Sequence, residues 1–325
     1  MFAITAAASC TNGKTTGRNP SACAWKPTNG APRRWLIFIG GGSCCFRSQP
    51  KARRKRFSNA RWLRLRLRSN PLVVGLLALA LGGGLARSQT VKELLPPAPA
   101  GKQWKLIWHD EFDGQKLDET KWNRLGDWKR RDGYWVKEDA YLNGTGSLVL
   151  RTRQDGNRYT CGAVNTQGKF EHAFGYYVAR CKLPQQEGHW PAFWLMCPGV
   201  TTVGNEGRDG TEIDIIEVPW RDGRLTSNLH WDGYGKDHKT AGTKFKRPGI
   251  MQGWHTFGLL WLPTEYVFYV DGQETWRTSA GGVSQVPEYV KLTEEIGAWG
   301  GKIQKASLPD YFEVDYVRVY DAQAD

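Results

Sequence analysis

Three carboxylates stand at the spacing Glu212-x-Asp214-x-x-Glu217, inside the run Gly210-Thr-Glu-Ile-Asp-Ile-Ile-Glu-Val218. The run is otherwise β-branched and reads as a strand. Strand side chains alternate between two faces. Glu212 and Asp214 therefore share one face, and Ile213 and Ile215 the other. Strict alternation would bury Glu217 with the isoleucines, where an unpaired carboxylate is costly. One extra residue, a β-bulge at Ile215-Ile216, returns Glu217 to the face of its partners. Glu212 and Glu217 are then about four strand steps apart, roughly 13 Å of backbone. Two Glu side chains leaning together can close this toward the ~5–5.5 Å of a retaining glycosidase. Three like charges on one face must spread their pKa values, and one can stay protonated near neutrality. A nucleophile, a protonated acid and a mediator are the set that glycosidic cleavage needs. A calcium site or a solvated acidic strand would use the same residues, but the flanking isoleucines and valine argue for a central strand.

Trp is abundant, with 16 residues, of which Trp25, Trp35 and Trp62 precede residue 91. Large flat apolar faces with a polar handle suit either an aromatic β core or platforms for sugar rings. Trp190 and Trp194 share strand parity with small Ala192 between them, a spacing that would cradle a ring; core packing is the alternative. Trp220, three residues past Glu217, is expected on a cleft rim. Trp299, in Gly297-Ala-Trp-Gly-Gly301, reads as another platform or as loop packing. His230 and Trp231 end a strand at the polar, aromatic loop Asp232-Gly-Tyr-Gly235 and are expected to touch substrate, although a structural His is common. His238 reads as loop surface. Arg180 could pair with a catalytic carboxylate or only stabilise its sheet.

The elements that must position these groups are strands. Short β-rich runs recur at Lys105–Phe112, Ser147–Thr152, Phe174–Lys182, Pro191–Met196, Glu212–Val218, Thr226–Trp231, His255–Leu262, Tyr266–Val270 and Phe312–Tyr320. Pro263-Thr264-Glu265 and Asp271-Gly272 read as hairpin turns between consecutive strands. There is no amphipathic helix of useful length and no repeat of 20–50 residues. This predicts an all-β sandwich of two antiparallel sheets and excludes a propeller.

The formal charge of +13 suggests a nucleic-acid binder, but its distribution removes the suggestion. Residues 1–90 hold 16 of the 45 Lys and Arg and none of the 32 Asp and Glu, leaving 29 basic against 32 acidic residues in the remainder. No nucleic-acid partner is expected there. Residues 61–88 combine an Arg-rich start, the apolar run Pro71–Ala86 and a small-residue end, the pattern of a cleaved signal peptide. A secreted or periplasmic enzyme without stable membrane association is the expectation. Residues 1–60 fit no signal peptide and read as a spurious upstream extension or a disordered basic arm. Residues 89–103 read as a Pro/Ala linker, and 104–325 as one catalytic domain. Cys161, Cys181 and Cys197 allow one disulfide or buried free thiols.

At this point the sequence resembles glycoside hydrolase family 16, the laminarinase, agarase and carrageenase group. Glu212-Ile-Asp214-Ile-Ile-Glu217 matches the signature. Trp108–Gly114, Gly168–Glu171, Phe174–Pro184, Gly188–Leu195, Trp254–Gly258, Tyr269–Gly272 and Phe312–Tyr320 resemble further strands, so the likeness covers about residues 104–321. It implies a jelly-roll sandwich with a concave sugar cleft and retaining, endo-acting hydrolysis of a β-linked polysaccharide. Glu212 would be nucleophile, Glu217 acid and base, and Asp214 the residue that tunes both. It implies no catalytic cofactor, but a structural calcium with Glu111, the Gly146 backbone and Asp315 as candidates by position. Val178 departs from the pattern where an acid is usual, which puts one local polar contact in doubt. The expected substrate is β-1,3-glucan, acted on by a monomer. An endo-β-galactanase is the alternative, kept open by the basic loop Lys236, Lys239, Lys244, Lys246 and Arg247. A carbohydrate-binding protein without catalysis is the alternative of another class.

Overall fold

A computed structural model describes residues 95–324. The extension at 1–60, the leader at 61–88 and the first part of the linker lie outside the described residues. Within them the chain is strands, turns and short 3-10 segments in two sheets. The site sheet has eight strands, in the order Lys239–Lys246, Arg224–Trp231, Glu212–Glu217, His189–Met196, Glu288–Ile296, Ala163–Asn165 and Asn123–Arg124, with Glu171–His172 also on Glu288–Ile296. The second sheet has eleven, with Gly175–Lys182 between His255–Leu262 and Asp310–Ala324. Pairing is antiparallel throughout, except for the short Gly133–Trp135 strand beside Arg158–Cys161. This is the expected jelly-roll sandwich. No helix among the described residues is long and apolar enough to cross a membrane.

Alternation builds the core. Tyr177, Ala179 and Cys181 turn inward from one sheet to meet Phe193, Leu195, Ile213, Ile215 and Ile216 from the other. Their neighbours Tyr176 and Val178 turn outward and join Leu260, Val267, Tyr316 and Tyr320 in a second apolar cluster on the outer face. Val178 is therefore a packing residue where the family pattern has an acid. Two hairpins form where expected. At the second, Asp271 (φ 51°) and Gly272 (φ 73°) both take left-handed backbone, which matches the strand twist in a two-residue turn.

Two expectations need correction. The linker does not run to residue 103: Leu95 packs on the outer cluster, Trp104 Nε1 donates to the Pro96 carbonyl at 2.7 Å, and the first strand begins at Lys102. The basic loop is mostly a strand, Lys239–Lys246, on the edge of the site sheet. Lysines on an edge discourage pairing with another chain, so charge there has a structural use. Cys161, Cys181 and Cys197 are free and buried, the second of the two alternatives the sequence allows.

Glu288 is fully buried on the strand beside the site. It accepts the Thr211 N–H at 3.2 Å, and burial pushes its carboxyl up to about 8. A raised acid binds its proton more tightly folded than unfolded. Its stabilising share is complete below pH about 4.5 and is lost as pH rises through about 8. Glu288→Gln should therefore flatten the fall in stability between pH 5 and 8, by about 3–5 kcal/mol relative to wild type. Urea titrations across that range check it; parallel curves for the two proteins would refute it.

Candidate active site

The carboxylate strand carries the expected bulge. Trp194 pairs with Asp214 and Phe193 with Ile216, so Ile215 is the extra residue. Ile213, Ile215 and Ile216 are all buried in the core. Glu212, Asp214 and Glu217 emerge together on the other face and line one groove with Trp190, Ala192, Trp194, Thr293, Glu295, Arg130 and Arg131.

Glu217 is held on both oxygens. Trp190 Nε1 donates to Oε1 at 2.7 Å and Asn228 Nδ2 to Oε2 at 2.5 Å. Asn228 owes its place to Gly242 on the edge strand, where a Cβ would lie 2.2 Å from the Asn228 amide oxygen. Glu217 is 6 % exposed, and its pKa is raised well above the usual carboxylate range by burial first and the charge of Asp214 second. The two N–H donors pull the other way. Asp214 is also raised, by burial and then by Glu212. Two carboxyls raised above their usual range thus stand beside Glu212, which accepts a hydrogen bond from the Tyr234 hydroxyl. This arrangement supplies a proton from Glu217 and a carboxylate from Glu212 on the same face.

The geometry coincides with a family match. The model of glycosyl hydrolases family 16 fits residues 116–318. The chain belongs to this family. It is 29% identical to the glucan endo-1,3-beta-glucosidase A1 of Niallia circulans, over 70% of this chain and 39% of that one. It is 33% identical to the keratan-sulfate endo-1,4-beta-galactosidase of Sphingobacterium multivorum, over 68% and 56%. The chain thus spans about two-fifths and just over half of those two relatives. The crystal structure of a laminarinase from Flavobacterium sp. UMI-01 superposes with a TM-score of 0.57 at 28% identity, covering 67% of this chain and 100% of that one.

The family-16 cleft treats the other expected residues unequally. Trp190 is in the groove, but it is a partner of Glu217 before it is a platform: the Arg131 guanidinium lies 4.0 Å over its ring and Trp299 meets it edge-on. Trp194 faces the groove too, with Nε1 on Thr293 and Lys291 Nζ 3.7 Å above its ring. Trp220 lies under Arg224 and Lys244 and meets Trp299 edge-on at 5.1 Å. Trp299 is 37% exposed. His230 pairs with Glu212 across the sheet and sets Nε2 3.4 Å from Asp214.

Trp231 is a correction. His230 faces the cleft, so its neighbour must face the core, where Trp231 packs at 8 % exposure. Arg180 is another: it lies on the outer face of the second sheet, 2.7 Å from Asp315 and over Trp254, and does not serve the catalytic carboxylates. The calcium candidates on that side are committed to arginines, since Arg318 grips both Glu111 oxygens and Arg180 takes Asp315. Gly146 lies in the turn before Leu148–Asp155. Among the described residues, the donors that converge are Glu212, Asp214 and His230, within 4.8 Å of one another. A divalent cation would bind there on top of the catalytic groups.

Other cleft residues were not anticipated. Asn228 and Lys291 lie in the row of Asp214 and Trp194. Burial and nearby Arg130 push Lys291 down to about 8. Glu295 accepts Arg130 at 2.8 Å and also takes Arg131. Tyr234 and His238 come from the loop after Trp231. The alternating polar positions Lys291-x-Thr293-x-Glu295 were a readable signal for a cleft strand; the loop residues had only the polar, aromatic run Asp232-Gly-Tyr-Gly235.

Proposed function

We propose that the protein is an exported, retaining endo-β-glycosidase acting on a β-linked polysaccharide, with β-1,3-glucan its main substrate. The observation that carries this is the bulged strand that puts Glu212 on one face with a buried Glu217 whose carboxyl is raised well above the usual range. Glu212 attacks the anomeric carbon while Glu217 protonates the leaving oxygen. Glu217 then takes the proton of a water that releases the sugar. Asp214, with His230 Nε2 3.4 Å from its carboxyl, stands between Glu212 and Glu217 on the same strand. The glucanase and laminarinase relatives support glucan, and the leader at 61–88 supports export.

A second reading, an endo-β-galactanase on agar, porphyran or carrageenan, is favoured by one feature. Cations cover the cleft tryptophans: Arg131 over Trp190, Lys291 over Trp194, Arg224 and Lys244 over Trp220. Such groups suit sulphated sugars. Reducing-end release across laminarin, mixed-linkage glucan, agarose, porphyran and κ-carrageenan decides. Activity on laminarin supports the first reading, activity confined to a galactan the second. Binding without cleavage on every polymer would overturn both.

The Asn228 N–H stabilises the Glu217 carboxylate, so its loss raises the pKa of the acid further. Asn228→Ala should move the alkaline limb of the kcat/KM profile up by about half to one pH unit. A limb that stays put or moves down would show that Glu217 is not the titrating acid.

A further inference from the structure

The loop between the Arg224–Trp231 and Lys239–Lys246 strands turns back over the site. Its base is tied down. Asp232 takes left-handed backbone (φ 57°), and its buried carboxylate accepts Gly204 N–H at 3.0 Å and Lys239 Nζ at 2.7 Å. Gly233 N–H donates to the Val200 carbonyl at 2.7 Å. From this base Tyr234 reaches the carboxylate strand, and its hydroxyl donates to Glu212 Oε2. The residue is 52% exposed, so core packing does not explain where it points. His238 closes the loop. Its ring stacks on His230 at 5.1 Å, with Nε2 2.9 Å from His230 Nδ1, and lies 5.8 Å from the Tyr234 ring.

We propose that Tyr234 is a catalytic residue that promotes the second displacement, and that His238 positions it. This rests on Glu212 being the nucleophile. In the first displacement a Glu212 oxygen bonds the anomeric carbon, the glycosidic C–O bond breaks, and Glu217 gives its proton to the leaving oxygen. Glu212 becomes a neutral ester, and a phenol donor holds an ester carbonyl less strongly than a carboxylate. In the second displacement the water oxygen bonds the anomeric carbon and a water proton passes to Glu217. The electron pair of the breaking bond returns to Glu212, and its charge reappears against the Tyr234 hydroxyl. Burial and the charge of Glu212 hold the phenol pKa up, so Tyr234 keeps its proton throughout. A hydrogen bond that strengthens as Glu212 departs lowers the barrier of that step. The same bond weakens the nucleophile slightly in the first step.

The test separates the steps. Wild type, Tyr234→Phe, His238→Ala and His238→Gln are treated with a 2-fluoro aryl glycoside of the sugar that the polysaccharide panel identifies. Intact mass follows the covalent adduct and its release. Tyr234→Phe should label as fast as wild type or faster and release the sugar about 10–100-fold more slowly. Its kcat and KM should fall together, with kcat/KM nearly unchanged. His238→Ala should slow release in the same direction but less, and His238→Gln should recover part of the loss. Release by Tyr234→Phe at the wild-type rate would overturn the proposal. Normal release by His238→Ala beside slow Tyr234→Phe would overturn the role of His238. A wild type that turns over polysaccharide but never forms an adduct would instead overturn the nucleophile assignment.

Discussion

Glu212→Ser should lower turnover by at least about 10⁴-fold while leaving polysaccharide binding within about threefold. A serine cannot reach or stabilise the anomeric centre as the carboxylate does. The neighbouring acid offers no substitute, because burial, the larger of the causes that raise the Asp214 carboxyl, remains when Glu212 is gone. Binding should survive because the proposed sugar platforms Trp299 and Trp220 pack on each other, whereas Glu212 is hydrogen-bonded by Tyr234. Initial rates of reducing-end release give the first quantity and isothermal titration with an oligosaccharide the second. A variant within about tenfold of wild type would mean that Glu212 is not the nucleophile.

The next largest effect is expected at Glu217. Glu217→Ala should cost about 10²–10⁴-fold on natural polymer, the usual share of a general acid and base. The loss should be much smaller in the first step for an aryl glycoside whose leaving group needs no proton. Azide should then restore turnover, because a small anion can enter the space of the lost carboxyl and attack the glycosyl-enzyme without base assistance. The product should be a β-glycosyl azide. Equal losses on polymer and activated glycoside, with no rescue, would remove Glu217 from the acid role.

How far the sequence reached depended on whether a period applied. On the carboxylate strand, alternation and the cost of a buried unpaired acid together located the bulge at Ile215-Ile216. The same alternation, carried one strand further, excludes Trp231 from the cleft once His230 is in it. Arg180 shows a limit: parity assigns it to one face of its strand but does not say which sheet that strand joins. The Lys239–Lys246 strand was hidden because its Lys, Ala and Gly residues are depleted in strands and outnumber its Thr and Phe. Tyr234 and His238 lie on a loop, where no period exists. Arg131 and Glu295 meet across 164 positions of chain, and nothing local to either marks the pair. The fold and the three carboxylates are thus properties of short-range pattern, whereas the cation-covered walls of the cleft depend on which distant strands become neighbours.

The most direct test of the central claim is the anomeric configuration of the first product. Proton NMR is recorded in the first minutes of cleavage of whichever polysaccharide the panel selects, before mutarotation. Double displacement through Glu212 predicts that the new reducing end appears first as the β-anomer, with the α-anomer following slowly. An α-anomer appearing first would mean a single displacement by water, and Glu212 would then be a base rather than a nucleophile.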